Sequence, residues 1–255
     1  MDLTISIVNW NVKEYLKKCL DSILKYSQGF KIEIIVVDNA SSDGSVEMLK
    51  REFPNVMVIE NKENEGYGNA HNRAIKIARG RYILFLNPDV ELLADTLEKT
   101  MEFMDNHPDA GACLCDEVSR LGYDYILLSK LNIFLLTFLQ RLNKLFYSRF
   151  VSNLIADFLI KQLLLARQVK EPDGLEGGFV LVRQKAVKQV NGFDPKFFLG
   201  SEGWDLTNRI QKLNWKLYFL PGVRIIHYWG KSLNQISTAE LVALQENWRK
   251  RMSQT

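Results

Sequence analysis

Cysteine is scarce in this chain: its 255 residues include three, Cys19, Cys113 and Cys115. An odd number without the paired spacing of a zinc site excludes a disulfide framework and a cysteine-built structural metal, and a reducing cytoplasm suits it best. A secretory leader is not legible, because Met1 to Val8 runs directly into a strand-like stretch with no preceding basic segment and apolar run. Uninterrupted apolar runs of about 18 residues, the length a membrane span requires, are missing as well. So is a Gly-x-Gly-x-x-Gly after the first strand. Gly66-Tyr67-Gly68 lacks the third glycine and falls mid-domain, which argues against a dinucleotide-dependent oxidoreductase. The net charge of +3 is small, and the basic residues are interleaved with aliphatics rather than with stacking aromatics. Nucleic acid is therefore not an expected partner. Repeats and low-complexity linkers are also lacking.

What the chain does have is apolar content, 47% of its residues, enough for one large α/β domain spanning 1–255. Apolar Leu3 to Val8, amphipathic Val12 to Tyr26, apolar Ile32 to Val37 and helically spaced Gly44 to Phe53 form a βαβα pattern. Val56 to Glu60, Gly68 to Ala78 and Tyr82 to Leu86 continue it as strand, helix and buried strand. A Rossmann-like, mostly parallel sheet flanked by helices follows. Its ligands should gather at the carboxyl ends of the strands, where Asn9, Asp38 and Asn87-Pro88-Asp89 fall.

The texture changes over residues 125–170, where Leu, Ile and Phe are interspersed with Lys and Arg and acids are few. This segment reads as an amphipathic helical insert. It either packs on the core or lies against an anionic membrane surface, which would place the protein peripherally on the inner face of the cell membrane. After Pro172 the α/β pattern returns. Phe179 to Val182 follows Gly177-Gly178 as a strand, Lys185 to Val190 as a short helix and Glu202 to Leu213 as a longer one. Lys216 to Phe219 and Arg224 to Tyr228 read as two strands separated by a Pro221-Gly222 turn. A helical tail over about 238–255 closes the chain.

Several residues can carry chemistry. Asp38 ends an apolar run and precedes a polar turn, where its carboxylate can accept from a base N–H or a ribose hydroxyl, or cap the next helix; Asp43 could cap that helix alone. Asp89, after Asn87-Pro88, is either a turn residue or an oxygen ligand for Mg²⁺ or Mn²⁺. Gly177 and Gly178 permit close backbone approach to a sugar or acceptor, and Trp204 offers a face for stacking on a sugar ring; both have plain packing explanations too.

The motifs Ser6-Ile7-Val8-Asn9-Trp10-Asn11, Val36-Val37-Asp38-Asn39-Ala40-Ser41-Ser42-Asp43-Gly44-Ser45, Asn64-Glu65-Gly66-Tyr67-Gly68 and Leu86-Asn87-Pro88-Asp89, in this order, resemble glycosyltransferase family 2. The likeness is to its rhamnosyltransferase-like members, and it extends through Gly192-Phe193-Asp194 to Ile226-His227-Tyr228. It implies a GT-A fold and an inverting, metal-dependent transfer from a UDP- or dTDP-sugar to a glycan or lipid-linked saccharide in cell-surface polysaccharide synthesis. Carried over by motif, Asn9, Asp38, Asn64, Gly66 and Asn72 would bind the nucleotide. Asp89 would be the last acid of a DxD-like motif holding Mn²⁺ or Mg²⁺, with His227 as a further metal or diphosphate contact.

The general base departs from the pattern. Ser201-Glu202-Gly203-Trp204-Asp205-Leu206 matches the family's acidic motif, but Gly203 stands where the proton-accepting aspartate is expected. Three accounts remain open: Glu202 or Asp205 substitutes, the chain is an inactivated variant, or it binds nucleotide-sugars without transferring them. Asp205 could instead pair with Arg209, one helical turn on.

Overall fold

The computed structural model describes residues 1–118, 172, 174, 175, 177–231 and 246. The insert expected over 125–170 and the tail over 238–255 lie outside the described residues.

Eight strands form one sheet: β1 Leu3–Asn9, β2 Ile32–Asp38, β3 Met57–Glu60, β4 Tyr82–Leu86, β5 Val90–Leu92, β6 Ala110–Val118, β7 Phe179–Arg183 and β8 Lys216–His227. Their spatial order is β3-β2-β1-β4-β7-β6-β8-β5. The first half, β3-β2-β1-β4, is parallel, as the βαβ alternation demands. In the second half β7 runs antiparallel to both β4 and β6, β8 runs parallel to β6, and β5 is antiparallel to β8. Thus the sheet is mixed, with its parallel pairings concentrated where the sequence pattern is clearest.

The helices are α1 Lys13–Tyr26, α2 Ser45–Glu52, α3 Tyr67–Ile77, α4 Thr96–Asn106, α5 Gln184–Gln189 and α6 Glu202–Gln211. Strand alternation divides the core between two faces. Tyr82, Leu84 and Leu86 of β4 pack with Leu16 and Leu20 of α1, Leu49 of α2 and Met101 of α4. Ile83 and Phe85 turn the other way, onto Val187 of α5 and Leu206 and Ile210 of α6. Asp43 joins two helix starts: its carboxylate accepts from Lys13 N at 2.8 Å and from Ser45 N at 3.0 Å, the first residues of α1 and α2. The N-cap positions themselves are Val12 and Gly44, so Asp43 satisfies the first N–H of each helix from outside the cap, a contact that Asp38 does not make. Among the described residues no helix is long and apolar enough to cross a membrane.

Two local readings need correction. Pro221-Gly222 does not separate two strands. β8 continues through it as an irregularity whose pairing with β6 slips between Cys115 and Asp116. Gly222, at φ +87°, turns its N–H onto Asp116 Oδ2 at 2.8 Å, so the interruption stays bonded to the sheet. In addition, β5, α4 and β6 occupy Val90 to Val118, a stretch for which the sequence pattern gave no elements.

His71 of α3 is fully buried among Tyr67, Phe85 and Phe193, with ring centroids 4.3, 4.9 and 5.6 Å away. Its Nδ1 lies 2.7 Å from Ser6 Oγ. Burial disfavours the imidazolium and pulls its pKa down to about 3. Below the unfolded value near 6.5 the unfolded chain binds the proton that the folded one refuses, so the stability is complete above pH 6.5 and is lost as pH falls toward 3. At pH 5 the loss from this group should be about 2 kcal/mol, at roughly 1.4 kcal/mol per unit. Urea denaturation at pH 7 and pH 5 should show His71→Phe losing less stability than wild type by about that amount; identical pH dependence would contradict it.

Candidate functional site

At the carboxyl ends of β1, β2 and β4 lies a cleft of about 490 Å³, within the range of small-molecule sites. Its lining includes Asn39, Asn64, Gly66, Asn87, Asp89, Gly177, Gly178, Glu202, Gly203 and His227. Val8, Phe85, Val180, Phe193, Phe198 and Leu206 supply apolar walls.

One side is an amide-rich turn. Asn64 Oδ1 accepts from Gly66 N at 2.9 Å and from Asn39 Nδ2 at 3.1 Å, and Asn61 Nδ2 donates to Asn39 Oδ1 at 2.7 Å. Gly66 has φ +81°, and a Cβ there would stand 2.3 Å from Phe198 O. Only glycine lets the loop carrying Phe198 close over this turn. Asn9 and Asp38 are register partners at the ends of β1 and β2, and Asn9 Nδ2 donates to Asp38 Oδ2 at 2.8 Å. The other oxygen, Asp38 Oδ1, accepts from Ser41 N at 2.8 Å. Both residues are buried and stand outside the cleft lining, behind Asn39. Asn72 has both ends of its amide on the Phe193 backbone, at 2.9 Å each, and fastens α3 to the loop after α5. It too stands outside the lining.

The opposite side holds the charged groups. Asp89 Oδ1 is 3.2 Å from His227 Nε2, and Asp89 Oδ2 accepts from Lys231 N at 3.3 Å. His227 Nδ1 lies 2.7 Å from Glu117 Oε2, and the Trp229 indole stacks on the imidazole at 4.1 Å. Burial opposes charge on His227, but hydrogen bonds to Asp89 and Glu117 outweigh it and raise its pKa to about 9. The sequence brought Asp89 and His227 together only through family resemblance; the sheet does so by pairing Val90 of β5 with His227 of β8.

Among the described residues no three His, Cys, Asp or Glu side chains converge as a closed metal cage. The donors present fit a different kind of site. One carboxylate oxygen and one imidazole nitrogen side by side, facing a cleft, suit a hard divalent ion that keeps its other positions for phosphate oxygens and water. The carboxylate behind the imidazole is a frequent companion of histidine ligands.

Glu202 and Gly203, at the start of α6, both line the cleft. Asp205 does not: it pairs with Arg209 at 2.8 Å, whose guanidinium also donates to Val190 O and Gly192 O. That pair ties α6 to the loop after α5. Trp204 is 47% exposed, and Gly174 lies so close against its indole that a Cβ would come within 2.3 Å. Glu117, Asn39 and Trp229 join the site without having been marked in the sequence. The one available signal was Glu117 itself, an acid within the apolar strand AGACLCDEV.

Comparison with known proteins agrees with this geometry. Residues 4–169 match the model of glycosyl transferase family 2, and residues 169–229 match that of the N-terminal domain of galactosyltransferase. The rhamnosyltransferase WbbL of Escherichia coli K12 is 28% identical over 238 residues, covering 88% of this chain and 82% of the relative. The N-acetylglucosaminyl-diphospho-decaprenol L-rhamnosyltransferase of Mycobacterium tuberculosis is 24% identical over 252 residues, covering 94% and 80%. Among solved structures, the Pyrobaculum calidifontis mannosyltransferase PcManGT, in complex with GDP-Man and Mn²⁺, superposes with a TM-score of 0.64 at 18% identity. Staphylococcus aureus TarS 1-349 with UDP-GlcNAc gives 0.61 at 19%. The chain spans 57% and 62% of those two, and the likeness establishes the GT-A fold.

Proposed function

Because the chain belongs to glycosyltransferase family 2, we propose that it transfers a sugar, with inversion, from a UDP- or dTDP-sugar to a glycan or lipid-linked saccharide during cell-surface polysaccharide synthesis. The observation that carries this reading is the presence of Asp89, His227 and Glu202 in one cleft beside the Asn64–Gly66 turn. The two rhamnosyltransferase relatives, one of them named for a diphospho-decaprenol substrate, support the acceptor class.

In this reading Asn39, Asn64 and Gly66 meet the nucleotide, with Asn9 and Asp38 bracing the strand ends beneath. Asp89 and His227 would hold Mn²⁺ or Mg²⁺. The cation, when bound, supplies positive charge against the diphosphate that leaves. Lys231 N–H holds the second oxygen of Asp89, so the first is left toward His227 and the cleft. Glu202 takes the proton from the acceptor hydroxyl, the role that Gly203 cannot fill. Gly177 and Gly178 bring main chain to the cleft wall, where the sugar would lie.

The decisive experiment is transfer or donor hydrolysis measured with UDP-, dTDP- and GDP-sugars, with and without Mn²⁺, after a thermal-shift screen of the same nucleotides. Turnover with a UDP- or dTDP-sugar is expected. Tight, metal-dependent binding with no turnover toward any acceptor would favour a nucleotide-sugar-binding protein inactivated at Gly203.

The basic, aliphatic composition of residues 125–169 supports attachment to an anionic membrane surface near a lipid-linked acceptor. Flotation with anionic vesicles should show binding that weakens with salt; no binding at low salt would argue against it.

A further inference from the structure

Glu117, near the end of β6, is 1% exposed and stands outside the cleft lining, so it does not face a ligand. Both of its oxygens are engaged. Oε2 lies 2.7 Å from His227 Nδ1, and Oε1 accepts from Gly178 N at 2.5 Å. Burying a carboxylate is costly unless hydrogen bonds replace its water, and here the replacements come from the imidazole and the main chain of β7's entry.

The glycine pair is shaped around this contact. A Cβ on Gly177 would stand 2.3 Å from Glu117 Oε1, and one on Gly178 would stand 2.7 Å from His227 Cε1. No other residue type fits at either position without moving the carboxylate or the imidazole. Both neighbours are carboxylates, which can only accept, so the ring turns Nδ1–H to Glu117 Oε2 and its Nε2 side to Asp89 Oδ1 at 3.2 Å; with Nδ1 engaged by Glu117, Nε2 is the nitrogen that a cation beside Asp89 would take.

We propose that Glu117 is a positioning residue, holding the His227 ring through its Nδ1–H with Nε2 turned to Asp89, and that it thereby sets the site's affinity for a divalent cation. The affinity claim rests on the cation-binding reading of Asp89 and His227 given above; the orientation claim does not. A carboxylate behind a histidine ligand generally alters metal affinity by about 10- to 100-fold.

The test uses the full chain with E117Q and E117A. Glutamine keeps the shape and one carbonyl acceptor but loses the charge, and cannot accept from both His227 and Gly178. In metal-free protein labelled with ¹⁵N-histidine, and assigned with H227Q, wild type should show a downfield, slowly exchanging Nδ1–H for His227. That resonance should move upfield in E117Q and vanish in E117A. Mn²⁺ titrated into protein saturated with UDP and followed by electron paramagnetic resonance should bind about 10- to 100-fold more weakly to the variants. UDP affinity in EDTA should be unchanged.

An Nδ1–H that survives E117A, or Mn²⁺ affinity equal to wild type in both variants, would overturn the proposal. So would an equal loss of UDP affinity in EDTA, which marks general damage to the cleft. Wild type that binds no Mn²⁺ refutes the cation reading and the affinity claim with it, while the imidazole spectrum still decides the orientation claim. Should E117A not fold, E117Q carries both measurements.

Discussion

Replacing Asp89 by alanine should lower sugar transfer by about 10³-fold, the kinetic equivalent of the several kcal/mol that a bound cation gives to a leaving diphosphate. The same change should erase the cation's part in nucleotide binding. By calorimetry, wild type should bind UDP or dTDP more tightly with Mn²⁺ or Mg²⁺ than without, whereas Asp89→Ala should bind equally in both conditions. Some affinity should remain, because the Asn64–Gly66 turn lies on the other side of the cleft and its hydrogen bonds do not involve Asp89. Wild type indifferent to metal would dismiss the role given to Asp89 and His227.

The second large effect is expected at α6. Glu202→Gln should reduce transfer by about 10² to 10⁴, the usual worth of a general base, with little change in nucleotide affinity. Asp205→Asn is the control. Its partner is Arg209 and it stands outside the cleft lining. It should cost only a few tenths of a kcal/mol in stability and leave turnover nearly intact. Gly203→Asp completes the set. If Glu202 already serves as base, the added acid gives no gain; if the position is vacant in function, transfer should rise at least about tenfold. A donor shown to bind, combined with unchanged turnover in all three variants, would place the base in another segment.

The two halves of this site were unequally legible in the sequence. Asn9, Asp38 and Asp89 stand out locally, since each falls at the end of an apolar run, whereas Asn64 entered only through the family resemblance. The periodicity of Leu3 to Leu86 fixed the parallel strands to within a residue or so. Asp205 was legible as well: an arginine four residues on is the spacing of a helical ion pair, and the pair is present. What could not be read is anything that depends on pairing between distant strands. Glu117 meets His227 because β6 and β8 run side by side, 110 residues apart in sequence, and no local pattern encodes that neighbour. The short β5 carries too few residues to show alternation, and Pro221-Gly222 carries a strong turn signal that the β6 pairing overrides.

The position of β8 also bears on the order in which the site can come into existence. Among the described residues β5 pairs with β8 alone, and Asp89 meets His227 across 138 residues. During synthesis the Asn64–Gly66 turn and β1 to β4 leave the ribosome long before Lys216 does, so the nascent chain holds the parallel half of the sheet well before it holds the Asp89–His227 pair. Long-range closure of this kind is slow compared with the local βαβ contacts. The Asp89–His227 pair thus forms only when β8 docks, and in refolding followed by pulsed hydrogen exchange the amides of β5 should gain protection after those of β1 and β2.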